Sequence, residues 1–324
     1  MKQWITILGA LLAFQLVLVI AMNFSGDDYG AYQSNEKLLA FDIETINRLR
    51  FDDGTQHVIL EKQDVGWVLP EIWNYPVNAD ALSKLLKTLS TLGKGWPVAT
   101  TSGAAERFKV AESDFERKVS FMNGDQIQAT LYIGTSPGFR KAHVRLSESN
   151  DIFVIKLESW ETSTQADHWL KKDILRISAM DIDRLAINDV VLIRSDQALQ
   201  PDDLAEHEKP NEEAINSLIN RLAGLQIQSV SGTVDRREDG QRNKAVLEID
   251  LTLDHGGSLK YRFFKPEEAG SHYSLERSDL PYYFTVAAFP VDALRETERS
   301  KLVRTDNADS GSIPEHEEES DHVE

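Results

Sequence analysis

The chain contains no cysteine among its 324 residues. This absence excludes a disulfide framework, thiolate metal ligands, a cysteine nucleophile and the lipid attachment of a lipoprotein. A domain outside the cytoplasm needs no disulfides when its hydrophobic core is large enough, and a chain of this length can build such a core. The missing cysteines are therefore compatible with an extracytoplasmic protein.

Basic residues are scarce, because 35 Lys and Arg stand against 53 Asp and Glu and give a net charge of −18. Binding to phosphate backbones depends on clusters of Lys and Arg, so nucleic acid is not expected as a partner. Residues 305–324 contain eight of the acidic residues and no Lys or Arg. That composition predicts an acidic disordered tail.

The common motifs of catalysis and of cofactor binding are also missing. The sequence has no Walker loop, no His-Glu-x-x-His and no Gly-x-Gly-x-x-Gly that opens a helix, and its 8 His residues form no pair at metal-ligand spacing. The stretch Gly134–Gly138 places a Ser between two glycines, but a Pro follows that Ser and no helix pattern comes next. A hydrolase nucleophile elbow requires that helix, so a turn between strands is favoured.

The segment Asp167–Asp173 groups an acid, an imidazole, an aromatic ring and two amines. A catalytic triad needs side chains that converge in space, and neighbours in sequence do not supply that convergence. A linker between domains, packed through Trp169 and Leu170, is favoured instead. The sequence therefore predicts no catalytic residues, no metal site and no cofactor, and a protein that is not an enzyme.

One long apolar run is present, since no charge interrupts residues 4–24. A helix of about 20 apolar residues crosses the hydrocarbon core of a bilayer, so residues 1–24 are predicted to be a transmembrane anchor that contacts lipid. A cleaved signal peptide is the alternative. Its apolar region is shorter, about 7–15 residues, and it ends in small residues, whereas Met22 and Asn23 stand at the candidate site here.

The charges that flank this run set its orientation. Lys2 precedes it and Asp27 and Asp28 follow it, so the N-terminus is expected in the cytoplasm and residues 25–324 outside. In a bacterium this places a single-pass protein in the inner membrane with its domains in the periplasm. One crossing helix cannot form a transport pathway, so integral-membrane protein partners are expected.

The remainder reads as two copies of one unit. Residues 46–51 and 182–187 both alternate apolar and polar residues, the pattern of a strand. In each copy a second strand, one amphipathic helix, a strand–turn–strand and two short strands follow in the same order, at a nearly constant offset. The predicted fold is α+β, with two tandem repeats of a mostly antiparallel sheet that carries one helix on a face. The predicted boundaries are a juxtamembrane linker over 25–40, repeat 1 over 41–177, repeat 2 over 178–304 and the tail over 305–324.

Capping residues and leucine spacing locate the two helices. Asn78 follows Pro76 and precedes leucines at i, i+3, i+4 and i+7, and Asn211 follows Pro210 in the same arrangement. Gly93 and Gly224 mark the two helix ends. Each helix is therefore expected to lay one apolar face on a sheet.

An aromatic cluster precedes the first helix. Trp67 lies in a strand pattern and is expected in the core, whereas Trp73 and Tyr75 follow a loop-like stretch. Aromatic side chains are enriched in the cores of interfaces, so Trp73 and Tyr75 are the candidate residues of a partner-binding surface. Ordinary burial is the alternative.

The order of several short segments resembles a known family. The segments are Thr45–Phe51, Gly66–Pro70, Pro76–Asp80, Tyr132–Thr135 and Ile152–Ile155, and their order is similar to that of the DUF4340 family, a domain of unknown function. The resemblance covers roughly residues 40–300, but Arg107–Val110 departs from the Tyr-Gly-Leu turn of the family. It implies a single-span, periplasm-facing protein associated with ABC-type transport components of the gliding-auxiliary kind. It brings no catalytic residues.

These observations favour a non-catalytic accessory or binding subunit of an envelope complex, associated with an ABC-type transporter. Two other functions remain open. One is a membrane-anchored envelope hydrolase whose catalytic residues meet only in three dimensions, and the other is a structural scaffold.

Overall fold

The computed structural model describes residues 4, 11–15, 17, 36–196, 198–234, 244–265 and 272–305. The chain divides into two compact units between Lys171 and Lys172, whereas the sequence had placed the boundary between residues 177 and 178. Each unit contains one eight-stranded antiparallel sheet and few helices, so the fold is α+β.

Unit 1 contains the first of these sheets, whose strand order is β4-β3-β2-β1-β5-β6-β7-β8. The strands are β1 Arg48–Asp52, β2 His57–Gln63, β3 Gly66–Leu69, β4 Tyr75–Pro76, β5 Arg117–Asn123, β6 Gln126–Ile133, β7 Lys141–Leu146 and β8 Ile152–Lys156. Along β1 the side chains alternate as predicted, because Leu49 and Phe51 are fully buried while Arg48 and Arg50 are half-buried.

The α-helices of the range 36–171 are α1 Ala79–Thr91, α2 Ser102–Arg107 and α3 Ala166–Trp169. The predicted N-cap of α1 is confirmed, because the Asn78 side-chain oxygen accepts a hydrogen bond of 3.1 Å from the backbone N–H of Ala81. Leu82, Leu85 and Leu89 are buried, so α1 turns its leucine face inward.

Unit 2 contains the second sheet, whose strand order is β11-β10-β9-β14-β15-β16-β17-β13. Its strands are β9 Ile182–Ile187, β10 Val190–Ser195, β11 Ala198–Pro201, β12 Glu208–Pro210, β13 Ile227–Thr233, β14 Leu247–Leu253, β15 Ser258–Phe264, β16 His272–Arg277, β17 Tyr282–Ala287 and β18 Val303–Thr305. Its helices are α4 Glu212–Ala223, α5 Ala288–Arg295 and α6 Arg299–Leu302. Strands β12 and β18 form a separate two-stranded sheet.

The two large sheets share a strand order. The series β2-β1-β5-β6-β7-β8 in unit 1 corresponds to β10-β9-β14-β15-β16-β17 in unit 2. In unit 2 the last strand of the series pairs with β13. In unit 1 the corresponding strand, β8, meets a short bridge between Ala99 and Ile152.

The stretch of residues 197–209 is polar, acidic and long, and this composition predicts a mobile segment. The structure instead forms β11 and β12 there and holds the segment between them by one arginine of α6. The Arg299 guanidinium binds both carboxylate oxygens of Glu208, at 2.9 and 2.6 Å, and one oxygen of Asp203, at 2.7 Å. Two-point binding of a carboxylate by arginine has a fixed geometry, so this contact fastens the start of β12.

The Glu208 contact predicts a pH dependence. The hydrogen bonds from Arg299 lower the pKa of Glu208 from 4.5 to about 2. Ionised Glu208 therefore stabilises the folded state. This contribution is fully present above pH 4.5 and is lost as the pH falls toward 2. We expect a carboxyl titration followed by NMR to give a midpoint near 2 in the native chain and a higher midpoint in Arg299→Gln, where only the hydrogen bond from the Ala205 N–H still lowers the pKa. Equal midpoints in the two proteins would contradict the assignment.

The predicted segments at the two termini fall largely outside the described residues. This applies to most of the anchor over 1–24, to residues 25–35 of the predicted linker and to residues 306–324 of the tail. Within the part of the chain that the structure describes, no helix is both long and apolar enough to cross a membrane.

Candidate functional site

The predicted partner surface at Trp73 and Tyr75 is not formed by the two side chains together. Tyr75 is 0 % exposed, and its hydroxyl donates a hydrogen bond of 2.9 Å to the backbone oxygen of Lys171. Its ring therefore offers no surface to a partner. Trp73 is half-buried and ends a 3-10 turn in the left-handed region, with φ 49°. A binding role of Trp73 stays a prediction. Trp67, which was expected in the core, is also half-buried.

A different surface of unit 1 combines a cavity with exposed aromatic rings. The loop of residues 134–140 joins β6 to β7, and the turn of residues 158–160 follows β8. Together they border an open cleft with a volume of about 240 Å³, here called the 134–160 cleft. Charged and polar side chains line it: Glu116, Arg117, Ser136, Arg140, Lys141 and Glu158.

The 134–140 loop is fastened at its start by a close approach of two backbone segments. The N–H of Thr135 donates a hydrogen bond of 2.9 Å to the oxygen of Phe108. A Cβ at Gly134 would lie 2.0 Å from that same oxygen, so the position admits only glycine without a shift of the backbone. Further along, the Ser136 hydroxyl donates to the oxygen of Gly138 at 2.7 Å. The predicted turn is confirmed, and its serine side chain stabilises that turn.

One carboxylate of the cleft lining, that of Glu158, holds two neighbouring side chains in place. Glu158 binds the Arg140 guanidinium at 2.6 Å and accepts a hydrogen bond of 2.9 Å from the Trp160 indole N–H. These two contacts, the indole first, hold the pKa of Glu158 below its ordinary value. The Lys84 ammonium lies over the Trp160 ring, 5.3 Å from its centre. The Trp160 ring is therefore held in one position beside the cleft.

A polar network holds Arg117, another lining residue of the cleft. Asp53 accepts hydrogen bonds from the Arg117 guanidinium at 3.0 Å and from the Thr164 hydroxyl at 2.7 Å. Its other oxygen accepts from the hydroxyl and backbone N–H of Thr55 and from the N–H of Gln56. Burial alone would raise the pKa of Asp53, but these donors hold it far below its usual range. Asp53 therefore stays ionised and anchors Arg117.

Two large aromatic side chains next to the cleft face solvent. Phe139 is 86 % exposed and Trp160 is 50 % exposed. The Arg140 guanidinium lies over the Phe139 ring at 5.2 Å and links that ring to Glu158. Aromatic rings and arginine are the residues most often found at the energetic centres of protein interfaces. The arrangement thus suits binding of a surface, with ionic groups that already hold one another in place.

The other motifs of the sequence have structural positions. Trp169 is buried, stacks on Phe51 at 4.8 Å and donates its indole N–H to the oxygen of Ser163. His143 is buried and contacts the backbone oxygen of Thr135 at 2.7 Å. Within the described ranges, no group of three or more His, Cys, Asp or Glu side chains is placed to hold a metal ion.

Sequence reasoning missed Phe139, Arg140, Glu158 and Trp160. A usable signal was present for Phe139, because it follows Pro137-Gly138 directly. A large apolar side chain in a Pro-Gly turn has no strand or helix face that would bury it. Trp160 gave no such signal, since its exposure depends on the fold of the 158–162 turn.

Comparison with known protein families gives a match. The model of the family described as "Domain of unknown function (DUF4340)" matches residues 67–244, which is more than half of the chain. No curated protein and no solved structure matches the chain significantly.

Proposed function

The chain belongs to the DUF4340 family, and from this membership we propose that it is a non-catalytic accessory or binding subunit of an envelope complex. We further propose that it is anchored in the bacterial inner membrane by a single span, with its N-terminus in the cytoplasm and its two units in the periplasm. The partner is an integral-membrane protein of an ABC-type transporter. The family resemblance supports the transporter, and the exposed aromatic rings beside the 134–160 cleft support a role in binding.

Residues 4–24 support the anchor. They form an uncharged run of the length that a spanning helix needs, with Lys2 before it and acidic residues after it. The described residues of this run are helical, and their apolar side chains are exposed, among them Leu11, Phe14 and Val17. Apolar side chains on the outside of a helix suit contact with lipid.

The 134–160 cleft is the observation that carries the binding role. Phe139 and Trp160 expose large aromatic surfaces beside it, while Glu158 and Arg140 pair with each other. Leaving such rings in water is unfavourable, and covering them with a partner recovers the hydrophobic free energy. Because the ion pair and the cation–π contacts already fix the side chains, little conformational entropy is lost on binding.

The test is co-purification from native membranes in mild detergent after an alkaline wash. We expect the chain to stay with the membrane during the wash and to bring integral-membrane transporter components with it. The double variant Phe139→Ser/Trp160→Ser should recover at least tenfold less of them, because aromatic anchors contribute about 2 kcal/mol or more each at interfaces and about 1.4 kcal/mol is a factor of ten in affinity. Mass spectrometry identifies and quantifies the recovered proteins.

The matched control is Val65→Ser/Phe289→Ser, since these side chains are 88 % and 83 % exposed at other places. This variant should recover the partners as the native chain does. Release of the chain into the alkaline wash would contradict the anchor, and reproducible recovery of the native chain alone would contradict the complex. Equal losses in both variants would remove the cleft from the proposal.

A further inference from the structure

The hydrogen bonds of β7, the neighbour of β8, show which backbone groups of β8 point outward from the unit 1 sheet. The N–H of His143 donates to the oxygen of Thr135, and its oxygen accepts from the N–H of Gly134. The backbone groups of His143 therefore point toward β6. Backbone groups of successive residues in a strand point to opposite sides, so those of Val144 point toward β8.

The register between β7 and β8 then fixes the direction of every group in β8. Val144 stands opposite Phe153, so the backbone groups of Phe153 point toward β7. By the same alternation the groups of Ile152, Val154 and Lys156 point away from the sheet. The bonds that Ile152 makes on its outer side confirm this direction.

The chain covers only the first part of this edge, judged on the residues that the structure describes. Ile152 donates its N–H to the oxygen of Ala99 at 2.8 Å and accepts the N–H of Val98 at 2.7 Å. Pro97 comes next along the covering segment and has no N–H to donate, so the ladder stops there. No described residue hydrogen-bonds to the outward backbone groups of Val154 or Lys156.

Unit 2 shows what covers the corresponding edge. There β17 pairs antiparallel with β13 from Ile227 opposite Val286 to Thr233 opposite Tyr282. Strand β13 is rich in polar residues and carries two register shifts, which are common protections of an edge strand. Strand β8 is four-fifths apolar and pairs with β7 without a register shift. It is therefore a regular template for one further strand.

Two lysines place positive charge at one end of the β7–β8 pair. Lys141 of β7 stands directly opposite Lys156 of β8, and both side chains are exposed. Like charges directly opposite each other on a sheet destabilise the pairing. Among the described residues none forms an ion pair with either ammonium group. A carboxylate brought close to both would remove the repulsion.

We propose that an extended, acidic segment of a partner polypeptide adds to unit 1 as a further strand along Val154–Lys156. Its main chain bonds the outward N–H and C=O groups, and a carboxylate of the segment lies near Lys141 and Lys156. The proposal rests on the proposed function, because it names the kind of segment through which the partner binds. Edge and cleft are continuous, since Leu157 and Glu158 follow β8 directly and line the 134–160 cleft.

The test uses the full chain in mild detergent and two synthetic peptides. One is acetyl-Thr-Val-Glu-Val-Glu-Val-Thr-amide, and the other has Lys in place of both Glu. We expect saturable binding of the acidic peptide, at least tenfold tighter than that of the basic one, and slower hydrogen exchange at the amides of Val154 and Lys156. Higher salt should weaken the binding, because the lysine contacts are exposed.

Three variants separate the contributions of backbone and charge. Val154→Pro removes one outward N–H at an edge position where proline is tolerated, and should bind the acidic peptide about tenfold more weakly. Val154→Thr keeps the N–H and the shape of the side chain, and should bind within about twofold of the native chain. Lys156→Glu should reverse the preference between the two peptides.

Equal affinity for both peptides, no saturable binding, or slowed exchange elsewhere in the chain would each overturn the proposal. Slow exchange of the Val154 and Lys156 amides before peptide is added would also overturn it, because the edge would then already be covered. This holds whether exchange speeds up on removal of residues 306–324, speeds up on dilution that separates two copies of the chain, or stays slow in both cases. If Val154→Pro still co-purifies with the membrane partners as the native chain does, the edge proposal fails and the proposed function stands. Recovery of the native chain alone would instead overturn the function and leave the peptide result intact.

Discussion

Replacing Gly134 by alanine is expected to destabilise unit 1 by about 3 kcal/mol, at the upper end of the range for overpacking. The added Cβ would lie 2.0 Å from the oxygen of Phe108 and 2.4 Å from that of Lys109. Both obstacles are backbone atoms, so a side-chain rotation cannot relieve the clash. The backbone must separate, and the hydrogen bond from Thr135 to Phe108 is then lost. Urea denaturation of the full chain, with hydrogen exchange at the Thr135 amide, measures the effect.

Gly138→Ala is the matched control, since Gly138 lies in the same loop and has no atom within 4 Å of an added Cβ. Its free energy of unfolding should stay within about 0.5 kcal/mol of the native value. The Gly134 variant should also lose partner binding, because the displaced loop carries Phe139 and Arg140. If the two alanine variants unfold alike, the close approach of the backbones does not restrict this position.

Local patterns in the sequence predicted most of the fold. The alternation of residues 46–51 predicted β1, and the leucine spacing after Asn78 predicted α1 together with its cap. Strand β13 was missed because its sequence, Ile-Gln-Ser-Val-Ser-Gly-Thr, shows little alternation and is polar. Its strand conformation depends on pairing with β17, which is distant in sequence. Tertiary contacts of this kind leave no local signal.

The candidate site was harder to predict than the fold. Tyr75 and Trp73 are close in sequence, but β4 directs Tyr75 into the core, where its ring is fully buried. Phe139 and Trp160 lie on two different connections, and only the pairing of β7 with β8 brings those connections together. Which residues of separate loops become neighbours depends on the register in which the flanking strands pair. The sequence of the loops does not specify that register.

The two sheets differ at the edge where binding is proposed. The sheets share a series of six strands, yet β17 pairs along its length with β13, whereas among the described residues β8 is covered only by the bonds at Ile152. Exposed edges are rarely left regular and apolar, because they invite pairing with other chains. The edge of β8 beside the 134–160 cleft thus differs from the edge of β17, which β13 covers, and a binding role explains this difference.

Replacing Arg277 by methionine is expected to destabilise unit 2 by about 3 kcal/mol, since each buried carbonyl that loses its donor costs about 1–3 kcal/mol. Arg277 is 5 % exposed, and its guanidinium donates to the backbone oxygens of Leu175 at 2.9 Å and Ile174 at 3.2 Å. Burial alone would lower the pKa of Arg277, but hydrogen bonds to Asp279 raise it above its ordinary value. The Arg277 guanidinium therefore stays charged, and it holds residues 174 and 175, near the start of unit 2, in place.

Methionine keeps the length of the Arg277 side chain, so the variant isolates the loss of the donors from the loss of packing. The control is Arg262→Met on the neighbouring strand β15. The Arg262 side chain is 40 % exposed, and its guanidinium pairs with Glu276 at 3.6 Å. Exposed pairs of this kind contribute about 0–1 kcal/mol, so that variant should unfold nearly as the native chain does. Denaturation in urea gives both free energies.

Trypsin should cleave after Arg176 faster in Arg277→Met alone, because Arg176 directly follows the carbonyls that have lost their donors. An Arg277 variant no less stable than the Arg262 variant would show that the entry segment is held by other contacts.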